Sequence, residues 1–324
     1  MDVLDLALGN LLSPIILSFA LGLGAALARS DLSIPEAVAK GMSIYLLFAI
    51  GFKGGVAVDA AGPGGTLALA LLAGVVLSFA LPLVAFALLR AMTRLSPLDA
   101  AAVAAHYGSI SIVTFVAGTS VLDAAGIAFD GWMVAVAAAM EAPAILSALW
   151  LVARSGTGRP IDGELWRDIL LNGSIVLLVG SFAIGWITGQ PGLDRIASFI
   201  VAPFQGVLCL FLLDMGLVAG RGLRTAGGIL RPGLLAFGIL MPLVGAAAGA
   251  ATGALLGLGT GSGMLFMVLG ASASYIAVPA AMRVALPDAN PSIYLTLSLG
   301  VTFPFNLTLG LPLYLAVSRM IAGG

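Results

Sequence analysis

Hydrophobic residues along this chain form long runs with few polar interruptions, unlike the mixed pattern of a soluble protein. A run of about 20 apolar residues is long enough to cross a lipid bilayer as a helix. Clusters of charged residues, proline, glycine and asparagine mark where such helices end. The pattern predicts ten helices, at approximately 9–28, 39–59, 66–90, 98–120, 131–153, 169–189, 198–219, 231–256, 261–285 and 292–318.

Two of the predicted helices are interrupted by hydroxyl residues and glycine. Tyr107–Thr114 interrupts predicted helix 4, and Gly270–Pro279 interrupts predicted helix 9 at a matching place in the second half of the chain. Inside a bilayer, broken backbone is tolerated only where protein or water satisfies its polar groups. The two interruptions therefore predict broken helices that meet at a substrate site.

The chain divides into two halves that resemble each other. The longest polar connection, from Arg154 to Asp168, separates a predicted first repeat (1–155) and a linker (156–168) from a second repeat (169–324). Since each half has five spans, the second half must enter the membrane inverted, as in many secondary transporters. We therefore predict an all-α membrane protein of ten transmembrane helices in two inverted five-helix repeats. Four pairs lie 160 to 162 positions apart: Ser13 with Ser174, Pro82 with Pro242, Gly108 with Gly270, and Pro143 with Pro304.

Composition supports a membrane protein and excludes several other classes. Hydrophobic residues make up 60% of the chain and charged residues 9%, and the mean hydropathy is +1.14, whereas soluble domains are about 25% charged. The net charge of −1 gives no nucleic-acid-binding surface, and the one cysteine, Cys209, cannot form an internal disulfide. No zinc-ligand spacing, phosphate-binding loop or Gly-x-Ser-Gly element is present. We predict no enzyme activity and no cofactor. Because the N-terminus is acidic and lacks the basic region of a signal peptide, we interpret the first apolar run as a mature span.

Positive residues predict the orientation of the chain. With the N-terminus outside, the outer side keeps only Arg195 and Arg319, so the positive-inside rule predicts that both termini are outside. The inner side then collects Arg29, Lys40, Arg90, Arg94, Arg154, Arg159, Arg167, Arg221, Arg224, Arg231 and Arg283.

Glu141 is an acidic residue deep inside predicted helix 5, two positions before Pro143. Proline frees a backbone carbonyl, so a carboxylate and carbonyl oxygens lie together, which is a ligand set that suits sodium. The related place in predicted helix 10 holds Thr302, with Asn306 one turn later. We predict a sodium site at these residues and Thr114. The alternative is a carboxylate that neighbouring hydroxyls merely stabilise in the membrane.

The two interruptions carry groups that suit a small anion. A helix that restarts inside the membrane presents amide donors and a positive dipole end. We predict an anion site at these breaks, although small residues are also common where membrane helices pack closely. The predicted site residues are Gly108, Ser109, Ser111, Gly270, Ser272, Ser274 and Tyr275.

Three further polar residues fall within predicted spans. Lys53 and Asp214 lie 161 positions apart and would form a gating charge pair across the repeat interface, or else each reaches water at a membrane face. His106, near the inner end of predicted helix 4, is expected at the interface rather than in a proton relay.

At these residues the sequence resembles the sodium-dependent bicarbonate permeases described first in cyanobacteria. Gly270–Pro291 and Leu297–Asn306 carry the resemblance most closely, and Leu210–Gly216 adds to it. The resemblance implies a gate domain of helices 1, 2, 6 and 7 and a core domain of helices 3–5 and 8–10, with helices 4 and 9 crossing. It also implies bicarbonate and sodium sites at that crossing and assembly as a homotrimer.

The resemblance carries site residues and a regulatory partner. It places Ser109, Ser111, Ser272, Ser274 and Tyr275 at the crossing, and Glu141, Thr302 and Asn306 on neighbouring helices. It also implies inhibition by a cytoplasmic PII-like protein. The connection from Arg154 to Asp168 is shorter than the central loop of the cyanobacterial members, which weakens that last implication.

Together these observations predict sodium-coupled uptake of bicarbonate across a bacterial plasma membrane by alternating access. The residues alone indicate a transporter of a small anion, and bicarbonate comes from the resemblance. One alternative is a sodium/proton antiporter, which typically has acids at the crossing where this chain has hydroxyls. The others are an organic-anion/sodium symporter of the bile-acid type and a membrane sensor or scaffold.

Overall fold

The computed structural model describes residues 12–62, 64–154, 167, 171, 173–225, 231–276, 278–279, 281–282 and 286–323. The predicted linker (156–168), apart from Arg167, lies outside the described residues. So do the first positions of predicted helix 1 and parts of the second half of predicted helix 9. The described residues form helices and turns and contain no strand.

The described residues form twelve helices, because predicted helices 4 and 5 each correspond to two helices in the structure. Their bounds follow the predicted runs closely except for predicted helix 7, which was placed from 198 and begins at Phe204. Seven of these segments are long and apolar enough to cross a membrane: α2, α3, α6 with α7, α8, α9, α10 and α12. Three shorter apolar helices, α1, α5 and α11, accompany them. The helices are α1 (Pro14–Leu27), α2 (Glu36–Ala61), α3 (Gly65–Met92), α4 (Pro97–His106), α5 (Ile112–Ala124), α6 (Met133–Ala139), α7 (Glu141–Arg154), α8 (Gly173–Ile200), α9 (Phe204–Thr225), α10 (Pro232–Leu255), α11 (Thr260–Ala271) and α12 (Pro291–Ile321).

Predicted helix 4 is broken at the predicted place. α4 ends at His106 and α5 begins at Ile112, with Ser111 as its N-cap. Gly108 lies in the break against α3, where a Cβ atom would come within 2.4 Å of the Pro82 ring and 2.5 Å of the Ser78 carbonyl oxygen. Only glycine fits so close to another backbone, so this residue fixes the depth of the break.

Predicted helix 9 is also broken at the predicted place. α11 ends at Ala271, and Ser272–Ser274 continue without helical structure. Gly270, in the last turn of α11, faces Gly245 of α10, and a Cβ atom on Gly270 would lie 2.3 Å from the Gly245 carbonyl oxygen. The two backbones therefore touch directly just before the break.

Prolines interrupt the two helices that flank these breaks. Pro143 lacks the N–H that a helix uses, the chain makes a turn at Met140 between α6 and α7, and the Met140 carbonyl accepts a hydrogen bond from Ser78 Oγ. Around Pro304, α12 widens into two π-helical segments, Ser298–Thr302 and Asn306–Gly310. Local widening of this kind accommodates a proline and is frequent at functional sites.

Glycine contacts hold the remaining helices together in pairs. α2 packs on α8 mainly at glycines, where a Cβ atom on Gly55 would lie 2.0 Å from the Phe182 carbonyl oxygen. α1 packs on α9 in the same way, with Gly22 against the Leu213 carbonyl oxygen at 2.0 Å. Small residues let membrane helices approach closely where no hydrophobic effect drives their association.

α8 contains a kink near one end. Gly189 has a φ of 56° and a ψ of −156°, and Pro191 follows two residues later. A positive φ of this size is easily adopted only by glycine. The kink ends the straight part of α8 at the position where the sequence predicted helix 6 to end.

Candidate functional site

The two helix breaks lie against each other inside the protein. The backbone N–H of Ser111 donates to Ser272 Oγ at 3.0 Å, and the N–H of Ser274 donates to the His106 carbonyl oxygen at 2.7 Å. All four residues are buried. Each break therefore satisfies part of the polar backbone that the other leaves open, as a broken membrane helix requires.

A small cavity, called the midplane cavity below for its place between the two broken helices, lies at this contact between the breaks. Its volume is about 10 Å³, which is roughly room for one water molecule. A sodium ion fits this space, and a planar four-atom anion requires the walls to separate. The lining residues are Leu47, Ile110, Ser111, Ile112, Glu141, Ser274, Tyr275 and Ile276.

Glu141 supplies the carboxylate of the cavity. Its side chain is 4% exposed, and Ser109 Oγ donates a hydrogen bond to Glu141 Oε2 at 2.6 Å. A buried carboxylate is stabilised by hydrogen bonds and by a neighbouring cation. Within the described ranges no group of three His, Cys, Asp or Glu side chains could hold a metal ion. The site chemistry is therefore that of one carboxylate among neutral oxygens.

Ser111 links the cavity to the first turn of α5. Its Oγ accepts hydrogen bonds from the Thr114 N–H at 3.2 Å and from Thr114 Oγ1 at 3.0 Å. The first-turn amides of Ile112 and Val113 have no partner within the helix because the chain before them is not helical. Since Ile112 lines the cavity, the positive end of the α5 dipole faces it.

The Tyr275 hydroxyl has no hydrogen-bond partner among the described residues. The Tyr275 side chain is 7% exposed, its oxygen is buried, and the residue lines the cavity. The hydroxyl interacts weakly with Ser111, but the geometry does not meet that of a hydrogen bond. A buried donor without a partner is costly and rare, so this hydroxyl suits a ligand that accepts a hydrogen bond.

Thr302 and Asn306 do not line the cavity. Thr302 Oγ1 donates to the Gly238 carbonyl oxygen and is 2.7 Å from Tyr107 Oη. Asn306 Nδ2 donates to the Ala271 carbonyl oxygen at 2.9 Å, and Tyr314 Oη donates to Asn306 Oδ1 at 2.7 Å. In this conformation Thr302 joins α12 to α10 and to Tyr107 at the first break, and Asn306 joins α12 to the end of α11.

The hydrogen bonds of Tyr107 and Tyr314 are not predicted by the sequence. Both residues are aromatic and lie in apolar runs, so their rings alone explain their presence in a membrane helix. Their hydroxyls bond to residues on other turns or other helices, and a single sequence contains no signal for such pairs. Gly108 and Gly270, which were predicted at the anion site, do not line the cavity and pack closely against α3 and α10.

The predicted charge pair of Lys53 and Asp214 is not observed. The charge that attracts Lys53 is Asp123, and the charge that attracts Asp214 is Arg221. Lys53 contacts α9 at Phe204, which lies ten residues, or about 15 Å, along that helix from Asp214. Asp214 is buried, whereas Lys53 is exposed in a second cavity.

This second cavity, called the outer cavity below after the predicted orientation of the chain, has a volume of about 280 Å³. The Lys53 Nζ atom lies 4.7 Å from the centre of the Phe204 ring, a cation–π contact. The polar residues that line the cavity are Lys53, Thr119, Ser120, Asp123 and Gln205.

The interfacial position predicted for His106 is wrong. The ring is fully buried and stacks on Tyr294, with centroids 4.5 Å apart. His106 Nδ1 is 2.7 Å from the Ala102 carbonyl oxygen. His106 ends the ten-residue helix α4, about 15 Å from its start, and this distance carries the ring into the protein and away from the helix end near the membrane face.

A family model for the Na⁺-dependent bicarbonate transporter superfamily matches residues 14–319, which is nearly the whole chain. The chain belongs to the Na⁺-dependent bicarbonate transporter superfamily. This superfamily consists of transporters, in agreement with the apolar helices that make the chain a multi-pass membrane protein. A search among curated proteins found no match.

Proposed function

We propose that this superfamily member takes up bicarbonate together with sodium, by alternating access to the cavity between the two helix breaks. The observation that carries the proposal is the meeting of one buried carboxylate, Glu141, with hydroxyls from both breaks at a single cavity. Once its walls separate, this set of groups can bind a cation and an anion next to each other, which is what coupled transport of the two requires.

Bicarbonate binds at the hydroxyls and amides of the cavity. Ser111, Ser274 and Tyr275 donate hydrogen bonds to its oxygens, and the first-turn amides of α5 add the positive end of a helix dipole. The walls separate to admit the anion, since the cavity is smaller than the ligand. Three further hydroxyls support the site without lining the cavity. They belong to Ser109, Ser272 and Thr114, and they bond to Glu141, to the Leu269 carbonyl oxygen and to Ser111, respectively.

Sodium binds beside Glu141 and produces the coupling. The charge of an unpaired carboxylate repels bicarbonate in a cavity with little water. A sodium ion next to Glu141 cancels that charge and adds an attraction of its own, so the anion binds tightly only after the cation. When the Ser109 hydrogen bond shifts, Glu141 provides oxygen ligands of the kind that a hard cation prefers.

The wider architecture belongs to the same proposal. Residues 1–155 and 169–324 form inverted repeats, with α1, α2, α8 and α9 as the gate and the other helices as the core that moves against it. The tight pairing of α2 with α8 and α1 with α9 supports this division. The protein is a homotrimer in a bacterial plasma membrane with both termini outside, and a PII-like protein is a candidate regulator on the cytoplasmic side.

The cavity supports a small anion more than the alternatives. A bile-acid-type substrate is far larger than bicarbonate, so the walls of a cavity that holds roughly one water molecule would have to separate much further to admit it. A sodium/proton antiporter typically uses paired acids, or an acid and a lysine, at the crossing, and Glu141 is the one carboxylic acid among the lining residues.

The test is uptake of labelled bicarbonate into proteoliposomes with and without an inward sodium gradient. We expect sodium to stimulate uptake by the unchanged protein at least tenfold. Glu141→Gln keeps the shape of the side chain but removes its charge, so we expect it to lose sodium dependence and most of the uptake.

Thermal unfolding in detergent serves as the control for folding of this variant, and nitrate and acetate serve as competing anions. Equal uptake with and without sodium in the unchanged protein would contradict the coupling. Normal sodium-stimulated uptake by Glu141→Gln would remove Glu141 from the mechanism.

A further inference from the structure

A groove remote from the midplane cavity opens between the end of α3 and the start of α10. Its volume is about 540 Å³, and Ile293 at the start of α12 completes it. The two helix ends touch, since a Cβ atom on Gly233 would lie 2.3 Å from the Met92 carbonyl oxygen. The groove is therefore held open by rigid elements that meet at one membrane face.

Two arginines line this groove and are free to bind a ligand. Arg94 and Arg231 are exposed, and neither makes a hydrogen bond or ion pair to the residues that the structure describes. Arg90 is nearby and donates to the Leu95 carbonyl oxygen. The groove therefore presents two unpaired guanidinium groups, which bind phosphate well.

Asp99, five residues after Arg94 in the chain, does not neutralise these arginines. Asp99, in the first turn of α4, accepts a hydrogen bond from Ser96 Oγ at 2.7 Å and one from the Asn290 N–H at 2.9 Å. Its carboxylate is thus used to join α4 to the start of α12. The groove keeps a net positive charge.

Apolar residues continue from each arginine toward the membrane interior. On α10, Arg231, Leu235 and Ile239 follow at intervals of four and lie on one face of the helix, and the two apolar side chains are 39% and 44% exposed. On α3, Val84 is 40% exposed and lies seven positions before Ala91, which lines the groove, so the two share one face of the helix. A ligand that fills the groove thus meets positive charge at the membrane face and apolar surface below it.

We propose that the groove binds an anionic phospholipid, with its phosphate between Arg94 and Arg231 and its acyl chains along α10 and α3. A free phosphate ion would use the arginines and leave the apolar surface unused, whereas a lipid uses both. The proposal does not depend on the transported substrate. The predicted orientation decides only the leaflet, which is the inner one, where basic pockets between helices recognise anionic headgroups.

The test measures lipid retained by the detergent-purified protein after titration with phosphatidylglycerol, with bound lipid quantified by mass spectrometry. The double variant R94Q/R231Q keeps the length of both side chains and removes both charges. Each arginine near an anionic headgroup contributes on the order of fivefold in affinity, so we expect about a 30-fold loss. R94K/R231K should retain most of the binding.

The control variant R29Q/K40Q removes two exposed positive charges from the same predicted face, outside the groove. We expect it to bind phosphatidylglycerol within about twofold of the unchanged protein. Phosphatidylcholine should bind weakly to all variants. A second test needs no variant: raising the ionic strength should weaken the binding of phosphatidylglycerol to the unchanged protein.

Three outcomes would overturn the lipid site. Equal retention of phosphatidylglycerol by the unchanged protein and R94Q/R231Q would show that the groove does not hold the headgroup. Displacement of the lipid by millimolar inorganic phosphate alone would assign the arginines to a free anion. Loss of the oligomer in R94Q/R231Q, with lipid retention unchanged, would assign the groove to a contact between copies of the chain.

Discussion

Two buried tyrosines near the helix breaks have hydroxyls in opposite situations. Tyr107 Oη is hydrogen-bonded to Thr302 Oγ1 at 2.7 Å, so it contributes to the stability of the fold. Tyr275 Oη is buried without a partner among the described residues and belongs to a residue that lines the cavity. The same chemical group therefore has a structural role at one position and is available to a ligand at the other.

Tyr275→Phe separates binding from stability. Removing a buried hydroxyl that has no partner costs the fold nothing, so we expect an unchanged or slightly higher Tm. A hydrogen bond to an anion contributes roughly 1.5 kcal/mol or more, so the KM for bicarbonate should rise about tenfold. The measurements are thermal unfolding in detergent and the concentration dependence of uptake in proteoliposomes.

Tyr107→Phe is the matched control for this variant. It removes the hydrogen bond to Thr302, and we expect a loss of about 1 kcal/mol in the free energy of unfolding. Its KM should change less than that of Tyr275→Phe. A normal KM together with a lowered Tm in Tyr275→Phe would show that its hydroxyl stabilises the fold and does not bind bicarbonate.

At the scale of residues, the sequence predicts which side chains are unusual but not which atoms they meet. Glu141 is conspicuous because an acid inside a membrane span is costly, and the structure places it at the cavity. Its partner Ser109 was predicted at the anion site, because hydroxyls suit an anion and a carboxylate equally well. Only the positions of the helices decide between them.

At the scale of helices, the close contact between α10 and α11 fixes where the second break occurs. Gly245 and Gly270 face each other with no room for a side-chain atom. The breaks themselves are predictable because glycine, hydroxyl and proline residues interrupt otherwise apolar runs. The π-helical segments of α12 are not predictable. Pro304 indicates that the helix is disturbed, but it does not show whether the backbone hydrogen bonds around it become wider or tighter.

Gly270→Ala tests this contact. The added methyl group would lie 2.3 Å from the Gly245 carbonyl oxygen, so α10 and α11 must separate. Overpacking of this kind typically costs about 1–3 kcal/mol, and we expect a lower Tm and reduced uptake, because the break moves with α11.

Gly180→Ala in α8 is the control, since a Cβ atom at Gly180 meets nothing within 4 Å. Alanine is a better helix former than glycine, so this variant should be neutral or more stable by about 0.5–1 kcal/mol. If Gly270→Ala matched Gly180→Ala in Tm and uptake, the α10–α11 contact would not position the break.

At the scale of the whole molecule, the outer cavity and the midplane cavity lie along the same two helices. Leu47 of α2 lines the midplane cavity and Ile50 lines the outer cavity, and Ile112 and Phe115 of α5 are divided in the same way. Residues three apart on a helix are about one turn apart. A single helical turn of apolar side chains therefore separates the two cavities.

Lys53→Gln tests whether the outer cavity is the entrance for both substrates. An exposed charge changes ligand affinity by about two- to fivefold through electrostatic attraction. We expect the KM for bicarbonate to rise by this factor and the KM for sodium to fall or stay unchanged. The measurement is initial uptake at varied bicarbonate and varied sodium.

Asp123→Asn removes the opposite charge from the same cavity. It should lower the KM for bicarbonate and raise the KM for sodium, and both effects should weaken at high ionic strength. Parallel changes in the two variants, instead of opposite ones, would mean that the substrates do not enter through this cavity.

The pairing of helices is the part of the whole fold that the sequence predicts least. Nearly every face of these helices is apolar, so hydrophobicity does not show which face meets which neighbour. The charge pair of Lys53 and Asp214 was inferred from equal spacing in the two halves, and the structure gives each a different electrostatic partner. Glycine positions such as Gly22 and Gly55 mark the packed faces only once the helices are in place.

The difference in size between the two cavities has a consequence for blocking the protein. The outer cavity, at about 280 Å³, has room for a molecule much larger than anything that fits the midplane cavity. A small aromatic carboxylate or sulfonate would reach Lys53 and stack beside Phe204, but it could not pass the single turn of side chains beyond them. Such a compound would act as a plug, holding the protein open to one side and stopping its cycle without being carried.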